Sequence, residues 1–167
     1  MPLIDVIYPA GALDDPTKEE LLANLWSTAL RWEAIEATEA AASVAWVYLD
    51  ERPVQHITAG GHALTQPIYR INVSVMVGFM DQGRIDGMVR ELTDQVLKAD
   101  GTDGDGSGPR VFCIVNEVPS GTWAIDGEIW TTPYTARALG LDDARIAAME
   151  RVVQDRPRLD VPVEAAV

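Results

Sequence analysis

Two stretches of the chain carry the same loop. DERPVQHITAGG (Asp50–Gly61) and NEVPSGTWAIDG (Asn116–Gly127) overlay without a gap, and Glu51/Glu117, Pro53/Pro119 and Gly61/Gly127 each differ by 66 positions. The segments leading into them repeat in the same order. LIDVIY (Leu3–Tyr8) reads as a strand, and Asp15 with Pro16 reads as a helix start, since proline's missing N–H costs nothing in the first turn. Leu21, Leu22, Leu25, Trp26, Ala29 and Leu30 then fall at helical spacing. Glu33–Ala42 either prolongs this helix or forms a second short turn, and SVAWVYLDE (Ser43–Glu51) is a second strand. IYRINVSVMVGF (Ile68–Phe79) is a strand again, MDQGRIDG a turn, and Met88, Val89, Leu92, Val96 and Leu97 share a helical face before RVFCIVNEV. Strand–helix–strand, twice, at the length a parallel βαβ unit needs, is a strong restriction on the fold. It predicts an α/β protein of two tandem βαβ units, with a four-stranded sheet and helices on one face. The single domain 1–167 divides into a first unit at 2–66, a second at 67–130, and a C-terminal helix and tail at 131–167.

Composition narrows what such a domain does. Thirteen basic residues against 26 acidic ones give a net charge of −13, which argues against nucleic acid or an anionic membrane as partner. An anionic substrate would need a local arginine. The single cysteine, Cys113, excludes an internal disulfide and fits a reducing cytoplasm. Asp5, Asp14 and Asp15 interrupt the N-terminal segment, so neither a signal peptide nor a membrane span is expected.

Pro2 heads the first strand. Proline at a strand's first position is ordinary. The small residue at position 2 also favours removal of Met1, which would leave Pro2 as a secondary amine at the chain terminus. An α-amino group titrates near pH 8, and burial in an apolar pocket favours its neutral form. Such an amine can take a proton from carbon beside a carbonyl and return it elsewhere, which is a tautomerisation.

Pro2 with PLIDVIY, DERPVQHITAGG, MDQGRIDGMVREL (Met80–Leu92) and NEVPSGTWAIDG together resemble the tautomerase superfamily, over Pro2 to about Gly127. Its members include 4-oxalocrotonate tautomerase, macrophage migration inhibitory factor, malonate semialdehyde decarboxylase and cis-3-chloroacrylic acid dehalogenase. The resemblance implies a homotrimer that closes the sheet edges, no cofactor, and a small carboxylate substrate. It also implies catalysis by Pro2, as a neutral base in a tautomerase or isomerase. The alternatives are a cationic proline in a hydratase, dehalogenase or decarboxylase of a small three-carbon acid, or a non-catalytic trimer.

Residue by residue the match is partial. The two arginines that short tautomerases place after the first strand and at the head of the second are replaced here by Ala12 and Trp46. Arg84, in GRID, is similar to the family's turn arginine and becomes the leading carboxylate binder, with Arg70 at the head of the third strand as a weaker one. Trp123 takes the place of the aromatic that lines the pocket. Where the dehalogenases carry a glutamate this chain has Ile125. Asp126, one residue on, is a candidate acid, though a turn shared with Gly127 accounts for it more simply. No metal site is expected: His56 and His62 lack a completing ligand set. DGTDGDGSG (Asp100–Gly108) lacks the order of a calcium loop. Cys113, mid-strand, is expected to be buried and inert.

Overall fold

The computed structural model describes residues 1–101 and 109–154. Most of the glycine-rich loop and the tail after the last helix, both discussed above, lie outside the described residues. Four strands form one mixed sheet: β1 (Leu3–Pro9), β2 (Trp46–Arg52), β5 (Tyr69–Met76) and β6 (Val111–Val118), in the order β2-β1-β5-β6. β1 runs parallel to β2 and β5 parallel to β6, while β1 and β5 meet antiparallel. The two expected βαβ units are therefore placed side by side about a pseudo-twofold axis between β1 and β5.

Period-two alternation settles which face is buried. Ile4, Val6 and Tyr8 of β1 and Tyr69, Ile71, Val73 and Val75 of β5 are fully buried under α1 (Asp15–Trp32) and α3 (Gln82–Ala99). The opposite face carries exposed Trp46, Tyr48, Phe112 and Ile114. Four large apolar side chains thus share one open sheet face.

The helix starts depart from the expected ones in small ways. Asp14, not Asp15, caps α1, its carboxylate accepting from the Thr17 N–H at 3.0 Å. Asp81 caps α3 in the same way, so GRID lies inside the first turn of a helix rather than in a free turn. The stretch after α1 does not prolong it. Thr38 caps a separate short helix, α2 (Glu39–Ser43), which takes Ser43 out of the second strand.

The two repeated loops each end in a two-residue hairpin, β3–β4 (Thr58–Ala59, His62–Ala63) and β7–β8 (Trp123–Ile125, Glu128–Trp130). Their turn residues, Gly60-Gly61 and Asp126-Gly127, all have positive φ (59°, 81°, 51° and 86°), the signature of a type I′ turn. The 66-residue repeat thus holds down to backbone dihedrals, and it gives Asp126 a structural reason to exist.

The C-terminal region holds two helices where one was expected. α4 (Thr132–Ala138) precedes α5 (Asp143–Gln154), which is capped by Asp142. Thr132 donates its hydroxyl to the Val77 carbonyl at 3.0 Å, and Met149 of α5 approaches Gly78. The pair is thereby fixed across the end of the sheet where β1 begins.

α1 and α3 touch most closely where Trp32 lies over Gly87; a Cβ built at Gly87 would sit 2.0 Å from the indole. The indole N–H donates to Glu91 at 2.9 Å, so the ring cannot readily swing away. Gly87→Ala should gain helix propensity of up to about 1 kcal/mol yet lose about 1–3 kcal/mol to overpacking. The expected outcome is a lower midpoint in denaturant unfolding; an unchanged or raised midpoint would mean that the ring moves aside freely.

Candidate active site

β1 is a central strand, so its first residues are carried into the interior rather than left at the rim. Met1 is fully buried and Pro2 is buried with it. The amino-terminal nitrogen of Met1 donates to the carboxylate of Glu33, whose residue has no exposed surface. Burial lowers the proton affinity of the amine, an effect that the facing Glu33 charge opposes. Burial likewise pushes the Glu33 carboxyl above the usual carboxylate range, again opposed by the amine. Glu33 Oε1 has no hydrogen-bond partner.

Glu33 is held by the way α1 ends. It is the C-cap; the Ala34 N–H bonds back to Arg31 O at 3.0 Å and the Ile35 N–H to Leu30 O at 2.9 Å, with Ala34 at φ 50°. This is a Schellman turn with alanine where glycine is usual. Arg145 of α5 donates from both terminal guanidinium nitrogens to the carbonyls of Glu33 and Ala34, clamping the turn. Desolvation, and then the nearby charge of Arg84, make the Arg145 guanidinium easier to deprotonate than usual. Half-buried Arg84 stands at the start of α3, its Nε 3.8 Å from Asp81. The chain terminus therefore meets one buried carboxylate, with the Arg145 guanidinium near enough to act on it and Arg84 near Arg145.

A second feature lies at the same end of the sheet. A cleft of about 750 Å³ is lined by Leu3, Trp46 and Ser74 of the open face and by Trp123 and Asp126 of the second hairpin. β6 runs antiparallel to β1, so the second unit's hairpin closes over the start of the first unit's strand. Trp123 thus flanks the residue next to Pro2. Asp126 is exposed at the turn.

Arg70 does not join this group within one chain. It pairs with Ile7, four register steps beyond Leu3, about 14 Å along the strand, and it is exposed on the open face. His56 and His62 are exposed, and among the described residues no three His, Cys, Asp or Glu side chains gather as metal ligands. Glu33 and Arg145 were missed by sequence reasoning. Glu33 looks like one more acidic residue of an Ala/Glu stretch, and its single sequence signal is its place directly after the last apolar turn of α1.

The fold is that of fused 4-OT and macrophage migration inhibitory factor structures. A wild-type fused 4-OT symmetric trimer superposes with a TM-score of 0.64 at 19% identity, over 83% of this chain and 98% of that one. Pt0534 inactivated by 2-oxo-3-pentynoate gives 0.63 at 19% identity, over 80% and 98%. Macrophage migration inhibitory factor from Oncomelania hupensis gives 0.58 at 16% identity, over 90% and 94%. No protein-family profile and no curated protein matches the sequence.

Cys113 is half-buried and burial raises its thiol pKa to about 11. Against an ordinary value of about 8.5, its thiolate at pH 8 should be scarcer by about two orders of magnitude. Alkylation of the native protein should be slower than that of free cysteine by about that factor, and fast native labelling would return Cys113 to the list of candidate nucleophiles.

Proposed function

We propose that the chain is a cofactor-independent tautomerase or isomerase that uses Pro2, freed by removal of Met1, as general base on a small keto or enol carboxylic acid. One observation carries this reading: the amino-terminal nitrogen is buried, with the Arg145 guanidinium near enough to act on it, in a strongly acidic protein. Removal of Met1 would vacate the interior space that its side chain fills and leave a hollow suited to a small molecule. Arg84 and Arg145 would hold the substrate carboxylate, which a chain of net charge −13 otherwise repels. Trp123 would wall the site off from water and help keep the amine neutral. Asp126 is the weaker candidate acid. Arg70, on the open face, would reach a substrate only across an interface between copies.

A second reading rests on Glu33. A carboxylate at the amine could hold Pro2 cationic, able to protonate a small three-carbon acid during hydration, dehalogenation or decarboxylation. The proline's titration separates the two. In the first reading its pKa falls below about 8, the unperturbed amine value, and activity is lost as pH drops through it; in the second the pKa lies above about 8.

The intact mass of the purified protein is the first test, because a chain that keeps Met1 has an amide at Pro2 and no base there. A variant with a bulky residue at position 2 should retain Met1 and lose activity; ketonisation by such a folded variant would overturn the reading. Arg84→Ala should act chiefly on KM, by about the 1.5–3 kcal/mol of a charge-assisted hydrogen bond. Unchanged KM would remove Arg84 from the site.

The assembly is part of the proposal. The exposed Trp46, Tyr48, Phe112 and Ile114, with the unpaired edges β2 and β6, would be covered in a homotrimer. Light scattering should give three times the 18.2 kDa chain mass; a monomer at micromolar concentration would contradict it.

A further inference from the structure

We propose that α5 is a lid over the amino terminus and that Arg145 is its latch. The reading of the amine as a base gives the lid its purpose, and this inference rests on it. A ligand can meet a terminus that has no exposed surface only if some element moves aside.

Register places α5 over the terminus. β1 and β5 are antiparallel with Leu3 opposite Ser74, so the residues before Leu3 run alongside those after Ser74, towards Gly78. Met149 sits on Gly78, its Cα 3.7 Å from where a Cβ of that residue would lie. On the other side, Arg145 donates to the carbonyls of Glu33 and Ala34, in the turn whose Glu33 carboxylate meets the amine. Arg145 and Met149 are four residues apart, about 6 Å along a helix. α5 thus reaches from the turn of Glu33 to Gly78, and the chain terminus, which meets Glu33 and runs towards Gly78, lies beneath it with no exposed surface.

The attachment of α5 is light for its length. The helix packs chiefly on α4. α4 itself is tied to the rest: the Thr132 N–H donates to Ser120 Oγ and the Thr132 hydroxyl to the Val77 carbonyl, both at 3.0 Å. Among the described residues of α5, Ile146 and Met149 are the buried ones. Among the described residues its side-chain hydrogen bonds to other elements are those of Arg145 and one exposed pair, in which Arg137 of α4 donates to Glu150 at 2.8 Å. Two apolar side chains and one guanidinium on neutral carbonyls therefore hold a helix of 12 residues down on the body of the domain. The link from α4 turns at Gly140, with φ of 73° and open space where a Cβ would be, so a pivot there meets no obstacle. An element held this way opens at a cost well below that of unfolding the domain. Arg145 is the polar part of that hold: when its donors leave the Glu33 and Ala34 carbonyls, α5 keeps its contact with α4 and loses its grip on the turn beside the amine.

The test measures access to the amine. The folded protein is treated with the N-hydroxysuccinimide ester of acetic acid at neutral pH, and the mass of the amino-terminal peptide gives the rate at which the α-amine is capped, whether the terminus is Met1 or Pro2. Arg145→Met keeps an unbranched apolar stem and removes the donors. The α-amine of this variant should be acylated at least about tenfold faster than that of the wild type, because the lid is open more of the time. Charge alone would act the other way. Burial and, to a smaller extent, the Arg145 charge lower the proton affinity of the amine, so removing that charge raises it and leaves less free amine to react. An equal or slower rate in a folded Arg145→Met protein overturns the proposal. Low urea supplies the second measurement, on the wild type, and decides alone if the variant does not fold. Opening a lid exposes little surface, so the acylation rate should stay nearly flat well below the unfolding midpoint. A rate that climbs with urea as steeply as global unfolding means that the amine is reached only when the domain unfolds, and overturns the lid. The base reading fails separately. A retained Met1, or full activity after the amine is capped, removes the base while the two labelling rates still measure the lid. Activity from a free Pro2, with an unmoved variant and a steep urea dependence, removes the lid alone.

Discussion

The structure depends on where the first strand goes. β1 lies between β2 and β5, hydrogen-bonded on both sides, so the beginning of the chain is carried into the middle of the sheet. A chain terminus is normally a charged, solvated group at the rim. Here it is desolvated, and a buried charge needs a partner or must give up its proton. Glu33 answers that requirement. The turn that holds Glu33 and the arginine that clamps the turn then follow from it. The reactivity proposed for the amine is the same fact seen from the other side: a group that the fold has deprived of water holds its proton less firmly.

Most of the architecture was legible because it is written in periodicity. The 66-residue offset, the alternating apolar residues of β1 and β5 and the helical spacing in α1 all survive into the structure, because backbone pairing and face burial decide them locally. Boundaries slipped where a side-chain oxygen chose among neighbours, as Asp14 did over Asp15. α4 was overlooked although Thr131 followed by Pro133 carries a cap-and-proline start signal, and its Thr131 hydroxyl does accept from Tyr134 N–H at 3.4 Å. The site was legible in part. Trp123 is singled out by the resemblance, and the structure sets it in a cleft with Leu3, the residue after Pro2. Glu33 is not, because its burial depends on a tight turn and on a helix more than a hundred residues away in sequence. For Arg70, which the sequence leaves either near Pro2 or at the surface, the antiparallel register puts it about 14 Å along the strand from Leu3 within one chain.

The small anionic ligand proposed above would meet local positive charge despite the overall sign. Arg84 is close enough to Arg145 for its charge to act there, a repulsion that a bound carboxylate would relieve. Other arginines are already engaged at carboxylates: Arg31 with Glu91, Arg52 with Asp50 and Arg137 with Glu150. Arg145 reaches backbone carbonyls and Arg84 has a carboxylate only at 3.8 Å.

Duplication within one chain frees the two halves to diverge. In an assembly of identical single units every copy would present the same strand start, and each would need its own terminus. Fusion leaves only one terminus, so the second unit's equivalent end has no amine to offer. That end is filled instead by Tyr69, Asp100 and Arg110, bonded to one another. The acid at the helix C-cap is retained in both halves because the fold buries that position either way, but its partner differs: a side-chain cation that stays put in one half, the chain's own beginning in the other. The second half sends its hairpin and Trp123 over the start of the first strand. Asymmetry between the units is what fusion makes available, and the difference between Glu33 and Asp100 is its clearest expression in this fold.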